Sequence, residues 1–239
     1  MAGNVPNCIS YDPTFSYELL VIMQDAMNRM FKKQENVFYY ITTMNENYSH
    51  PGLPSGQEKN IIKGMYLLQK GKKGKIRVQL LGSGAILRES IAAAELLSAD
   101  FKVQADIWSC PSFNELKREG DDVFRWNLLH PDKKPRKCHV TKCLENSHGP
   151  VVAATDYVKL FADQIRAYVP KSYTVLGTDG YGRSDSRDAL RKHFEVDRYY
   201  ITLAALNALY VEGSVSASIV KSAIKKYSIN TEKTNPLFS

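Results

Sequence analysis

Apolar residues fall along this chain in two rhythms, short contiguous blocks and longer stretches at three- and four-residue spacing, and their order predicts strands alternating with helices. Lys75-Ile-Arg-Val-Gln-Leu-Leu81, Gln104-Ala-Asp-Ile-Trp-Ser109 and Tyr173 to Leu176 read as strands. Ala85 to Leu97 reads as an alanine-rich helix, and a second helix starts at Cys110-Pro111-Ser112, with Phe113, Leu116, Phe124 and Leu128 available for packing. Lys137 to Leu144 and Val151 to Thr155 read as two further short strands. Asp156 to Val169 carries Val158, Phe161, Ile165 and Val169 at helical spacing, and Pro170 ends that helix. Three more helices are predicted over Ser186 to Phe194, Asp197 to Tyr210 and Ser216 to Tyr227, before a polar tail from Asn230. Such alternation predicts an α/β domain around a parallel sheet.

The first fifty residues follow a different plan. Met1 to Ser10 shows no strong pattern, whereas Asp12-Pro13 supplies a helix start. The helix that follows puts Leu19, Leu20, Met23, Met27 and Met30 on one face, which reads as a core-packing face. Asn36-Val-Phe-Tyr-Tyr-Ile-Thr-Thr43 is a strand by its aromatic and β-branched content. This helix-strand pair has no sheet of its own, so it reads as the tail of something larger and predicts self-association or a disordered amino terminus. Met44 to Gly56 is polar and proline-punctuated, an interdomain linker, and Ser55-Gly-Gln-Glu58 fits a capping box that opens the next domain. The predicted division is 1–54 and 55–239.

Candidate chemistry concentrates where strands meet glycines. Gly82-Ser83-Gly84 ends one strand and opens a helix, a junction that either packs strand against helix or holds an anion at Ser83 and Gly84; the fuller glycine fingerprint fails at Leu87. The stretch Thr174-Val-Leu-Gly-Thr-Asp-Gly-Tyr-Gly-Arg-Ser-Asp-Ser-Arg187 runs from a strand into a charged, glycine-rich turn. Its cluster Asp179, Arg183, Asp185 and Arg187 reads as ion pairs fixing a loop or an interface, with catalysis the lesser reading. No histidine pair has metal-ligand spacing on one helix and no Gly-x-Ser-x-Gly elbow is present. Cys138-His-Val-Thr-Lys-Cys143 lacks the second pair that a zinc knuckle needs, so its cysteines read as free thiols.

Charge changes this picture little. The net charge of +7 comes largely from Lys70-Gly-Lys-Lys-Gly-Lys-Ile-Arg77 and Lys133-Lys-Pro-Arg-Lys137, but no aromatic residues interleave either run, so both read as solvated loops and not as a nucleic-acid platform. No apolar run approaches a membrane span and no secretory leader pattern opens the chain, which predicts a cytoplasmic protein.

Five strings carry a resemblance: Tyr39-Tyr-Ile-Thr-Thr-Met-Asn-Glu-Asn-Tyr48, Gln79-Leu-Leu-Gly-Ser-Gly-Ala-Ile-Leu-Arg88, Arg125-Trp-Asn-Leu-Leu-His-Pro131, Ala154-Thr-Asp-Tyr157 and Gly177 to Arg187. Together they resemble the carboxyl-terminal part of the homodimeric bacterial pyruvate dehydrogenase family, thiamine-diphosphate-dependent relatives of transketolase. The resemblance implies a carboxyl-terminal domain with a mostly parallel sheet, helices on both faces and one antiparallel strand, preceded by an αβ remnant of a pyrimidine-binding middle domain. It implies that thiamine diphosphate and magnesium belong to the full-length enzyme and that this segment binds neither, holds no catalytic residue and is inactive alone. The partners it implies are the remaining domains, a homodimer partner and a lipoyl acetyltransferase core. A small anion-binding regulatory module is the alternative reading.

Overall fold

A computed structural model describes residues 2–239. Its centre is a five-stranded sheet of β3 (Tyr66–Gln69), β4 (Arg77–Gly82), β5 (Gln104–Ser109), β6 (Val151–Ala154) and β7 (Tyr173–Leu176). The spatial order is β3-β5-β4-β6-β7. All neighbours run parallel except β3, which lies antiparallel against β5 at the edge. Opposed residues such as Leu80, Ile107 and Val152 bring β-branched and leucine side chains level across the sheet.

Period-two alternation along these strands divides the core into two layers. Val78, Leu80, Ala105, Val152 and Ala154 face α3 (Ile86–Phe101), α8 (Arg198–Val211) and α9 (Ala217–Lys226). Leu81, Trp108, Val151, Ala153 and Tyr173 face the other side, toward α4 (Phe113–Leu129), α5 (His139–Leu144) and α6 (Lys159–Asp163). Both faces are covered, which is the condition for a parallel sheet.

The amino-terminal unit differs from its sequence expectation. Cys8–Tyr11, where no pattern was predicted, forms strand β1 and pairs in parallel with β2 (Phe38–Ile41), so the helix-strand pair carries a two-stranded sheet. Between them α1 (Ser16–Met27) ends in a single π turn, Asn28–Lys32. Its predicted core face is reversed: Tyr17, Glu18, Ile22 and Ala26 point inward, while Leu20 and Met27 are 67% and 61% exposed. Inward residues pack with Ile9, Tyr11, Phe15, Ile61, Tyr66, Leu87 and Ile107, so the unit is seated on the sheet's β3 and β5 side. A short helix, α2 (Glu58–Ile62), completes that contact.

Two further elements depart from expectation. Lys137 to Leu144 is helical at α5 and not a strand; Cys138, Val140 and Leu144 are buried on its inner side. The helix expected over Asp156 to Val169 is broken into α6 and a 3-10 turn, Arg166–Tyr168. Gly177 lies where α6 starts: it packs so closely on Tyr157 and Lys159 that a Cβ there would lie 2.6 Å from the Tyr157 carbonyl. Thr178 donates its N–H to that carbonyl, which holds 157–158 extended until the helix starts at Lys159.

Candidate functional site

In a doubly wound sheet, ligands sit outside the carboxyl ends of the strands, where the strand order reverses. Here that point lies between β4 and β6, since the chain leaves β4 for β5 on one side and later returns to β6 on the other. Gly82-Ser83-Gly84 occupies it. Gly82 lets α3 approach, because a Cβ there would lie 2.6 Å from the Leu87 Cα. Ser83 is 1% exposed and donates to the Thr155 hydroxyl at 3.1 Å, which ties the end of β4 to the end of β6.

The space above Gly84 is filled by the chain's own carboxylate. Gly84 has φ +48°, and a Cβ there would stand 2.6 and 2.7 Å from the two Asp12 oxygens. Its N–H donates to the Asp12 carbonyl at 3.1 Å, and Thr14 donates its hydroxyl to the Gly84 carbonyl at 2.7 Å. Thr42, at the end of β2, donates to Asp12 Oδ1 at 2.6 Å. Asp12 Oδ2 has no hydrogen-bond partner among the described residues. Burial pushes this carboxyl up to about 6; the Thr42 hydroxyl favours the charged form, and Asp156 and Glu18 oppose it.

A second acid fixes the opposite end of the same junction. Glu18 is fully buried, and its Oε2 accepts the Thr14 and Phe15 N–H groups at 2.6 and 3.0 Å. Oε1 accepts the hydroxyls of Tyr66 on β3 at 2.6 Å and Ser109 on β5 at 2.5 Å. One carboxylate thereby caps α1 and fastens it to two strands of the main sheet.

The linker is fastened as well. Tyr48 donates its hydroxyl to the Thr14 carbonyl and stacks on His50, which accepts the Ser16 N–H at 3.1 Å. Glu46 receives Arg88 of α3 at 2.6 Å and Arg191 of α7 (Arg187–His193) at 2.9 Å, with Arg187 looser at 3.8 Å. Burial alone would raise the Glu46 pKa, but the hydrogen bonds from Arg191 and Arg88 outweigh it and hold the group below the usual carboxylate range. Arg191 also reaches Glu89 at 3.4 Å, and Glu89 accepts both guanidinium and backbone donors of Arg198 at 3.0 Å. Glu46, Arg191, Glu89 and Arg198 therefore form one continuous ion network across α3, α7, α8 and the linker.

Asp179, Arg183, Asp185 and Arg187 do not converge on a point. Asp179 accepts the Lys159 N–H at 2.8 Å and so caps the start of α6; Asp185 accepts the N–H of Ser186 at 2.6 Å within its own turn. Arg187 binds Asn45 and approaches Glu46. Arg183 makes no ion pair or hydrogen bond among the described residues. Gly180, at φ +107°, lies against the Pro236 carbonyl, so the loop rests on the carboxyl-terminal tail. Sequence reading took Asp12 for the helix start, whereas α1 begins at Ser16 with Phe15 as its cap, and it missed Glu18 and Glu46; the Phe15-to-Glu18 spacing was the one available signal, for Glu18.

On α5 the His139 ring meets the Met65 carbonyl at 2.8 Å and the Cys143 sulfur at 3.6 Å, with burial lowering the imidazole pKa and raising the Cys143 thiol to about 11. Among the described residues no three His, Cys, Asp or Glu side chains are placed to hold a metal ion together. No helix of the described residues is long and apolar enough to cross a membrane.

A sheet of four parallel strands and one antiparallel edge strand, with helices on both faces, is the transketolase carboxyl-terminal architecture, and the chain belongs to the family described as transketolase-like TK C-terminal domain, whose model matches residues 64–197. The description matching residues 1–51 is pyruvate dehydrogenase E1 component middle domain. Its curated relatives are pyruvate dehydrogenase E1 components, and the chain aligns with their carboxyl-terminal part. That of Cupriavidus necator is 59% identical over 235 residues, and that of Pseudomonas aeruginosa 56% over 239. These alignments take in 98% and 99% of this chain but 26% and 27% of the relatives, so the chain spans about a quarter of their length. Among solved structures, transketolases from Pichia stipitis and Leishmania mexicana superpose with TM-scores of 0.60 and 0.59 at 16% and 15% identity. They match 88% and 87% of this chain and 26% of each transketolase, a likeness of fold.

Proposed function

We propose that this chain is the carboxyl-terminal module of a thiamine-diphosphate-dependent pyruvate dehydrogenase first component, the enzyme that decarboxylates pyruvate and passes the acetyl unit to lipoyl groups. The observation that carries this reading is identity above 50% along nearly the whole chain to E1 components. In it, residues 1–54 complete a middle domain and 55–239 form the carboxyl-terminal domain. The module contributes architecture: Asp12, Glu18 and Glu46 lock the two parts together, and the loop from Asp179 to Arg187 organises α6 and the linker. Cofactor and magnesium are held by the remaining three quarters of the enzyme, which works as a cytoplasmic homodimer against a lipoyl acetyltransferase core. The exposed outer face of α1, with Leu20, Met23 and Met27, meets those other domains.

The test is a pyruvate decarboxylation assay with thiamine diphosphate and magnesium. The purified chain alone is expected to show no turnover. Co-expression with the upstream three quarters of a relative such as the Cupriavidus necator enzyme is expected to yield an active complex. Turnover by the chain alone, or failure of the two parts to associate, would defeat the reading.

A further inference from the structure

The Gly84 position is closed by Asp12, but a cavity of about 650 Å³ opens beside it, between the linker and α7. Its floor is made by the residues that leave three parallel strands at their carboxyl ends: Ala85 after β4, Asp156 after β6 and Thr178 after β7. Ligands of doubly wound sheets are taken in this position. One wall is apolar, formed by Met44, Leu190, Phe194 and Val196. The other is lined by Arg183, Arg187 and Arg191, with Asn45 Oδ1 accepting one Arg187 donor and Arg191 engaged by Glu46 and Glu89.

The acids of this cavity leave donor capacity to spare. Glu46 takes its two short contacts from Arg88 and Arg191, so Arg187 at 3.8 Å is the loosest of its three partners. Arg183 has none of its guanidinium donors engaged by the described residues. Asp156 is the other acid of the lining, against three arginines. An apolar wall faced by under-used guanidinium forks is the complement of an oxyanion on a compact apolar body.

We propose that this cavity binds a small organic anion, a carboxylate or phosphate monoester with a compact apolar group, through Arg183 and Arg187. The apolar group lies on Leu190 and Phe194, and the oxyanion takes the forked donors that no acid of the chain fills. The linker residues Met44 to Glu46 form part of the same cavity, so an occupant touches the segment that joins the two parts of the chain. This assignment is independent of the proposed role in pyruvate decarboxylation, because its readout is binding and not turnover.

Titration calorimetry on the full 239-residue chain with phenyl phosphate, benzoate and inorganic phosphate tests it. Saturable binding of phenyl phosphate or benzoate is expected, tighter than that of inorganic phosphate, with the two aromatic probes separating the oxyanion classes. Arg183→Gln, which removes no contact of the folded chain, is expected to weaken binding about tenfold, the loss of one charge-assisted contact. Arg187→Gln should do the same, and Lys134→Gln on a remote loop should change nothing. No saturable binding to either aromatic probe, affinity unchanged in both arginine variants, or equal affinity for inorganic phosphate would overturn the assignment.

Discussion

The two ends of the junction between the amino-terminal unit and the main sheet are each built on a buried carboxylate, and the two are provided for differently. Glu18 has four donors, two from the backbone that leads into the helix it caps and two from strands β3 and β5. Asp12 has one at Oδ1 and none at Oδ2 among the described residues, and it lies in the ligand crevice of the fold. A fully hydrogen-bonded carboxylate fixes geometry at little electrostatic penalty, whereas an under-bonded one is held charged at the expense of stability. The Glu18 end therefore works as a permanent fastening. The Asp12 end remains sensitive to pH and to whatever lies near it.

The largest effect that would break this contrast belongs to Glu18. Glu18→Ala leaves four buried donors unpaired, and we expect a loss of about 4 kcal/mol in urea unfolding, or roughly 10 °C in Tm. A loss below 1 kcal/mol would mean that the four contacts do not fasten the junction. Asp12 comes next, with the opposite sign. Its folded pKa is raised, so its contribution is most favourable below the ordinary carboxylate range and is lost as pH climbs toward about 6. Stability should fall by about 2 kcal/mol between pH 4 and pH 7 on this account, and Asp12→Asn should remove that component and raise neutral-pH stability. An unchanged pH profile in Asp12→Asn would contradict it.

A smaller effect is expected at the linker. Glu46→Gln weakens contacts with the part-exposed Arg88 and the buried Arg191, with a loss of about 1 kcal/mol. Chymotryptic cleavage after Tyr48 should speed up, and equal cleavage rates would show that the arginines do not hold the linker. The smallest change should come from Met27→Gln on the outward face of α1, within about 0.5 kcal/mol of the parent. A larger loss would show that this face is already covered by a second copy in solution.

Much of the main sheet was legible because its strands are apolar blocks bounded by glycine, proline or polar turns. Gln104 to Ser109 and Tyr173 to Leu176 match the predicted stretches, and Arg77 to Gly82 overlaps the predicted Lys75 to Leu81 and runs one residue past it. β1 was not legible, since Cys8 to Tyr11 has neither alternation nor a turn signal and owes its form to pairing with β2, far along the chain. The α5 segment was misread because Val140 and Thr141 favour strands locally, while burial of Val140 and Leu144 at helical spacing decides the outcome. On α1 both faces carry apolar residues, and the contact with Ile61 and Tyr66 chose the one that the methionine stripe does not occupy. Of the candidate site, the glycine junction and the arginine loop were visible. Asp12, which fills one, and Glu46, which meets the other, were not, because each acts on residues more than forty positions away.

Thr42 holds Asp12 through its hydroxyl, and Glu46, four residues on, is gripped by arginines of two helices. Such a span reaches roughly 13 Å at full extension and is anchored at both ends. Mechanically it is a tie rod between α7 and the amino-terminal sheet. The four-residue segment thus joins α7 and α3 to the amino-terminal sheet through side-chain contacts at each of its ends.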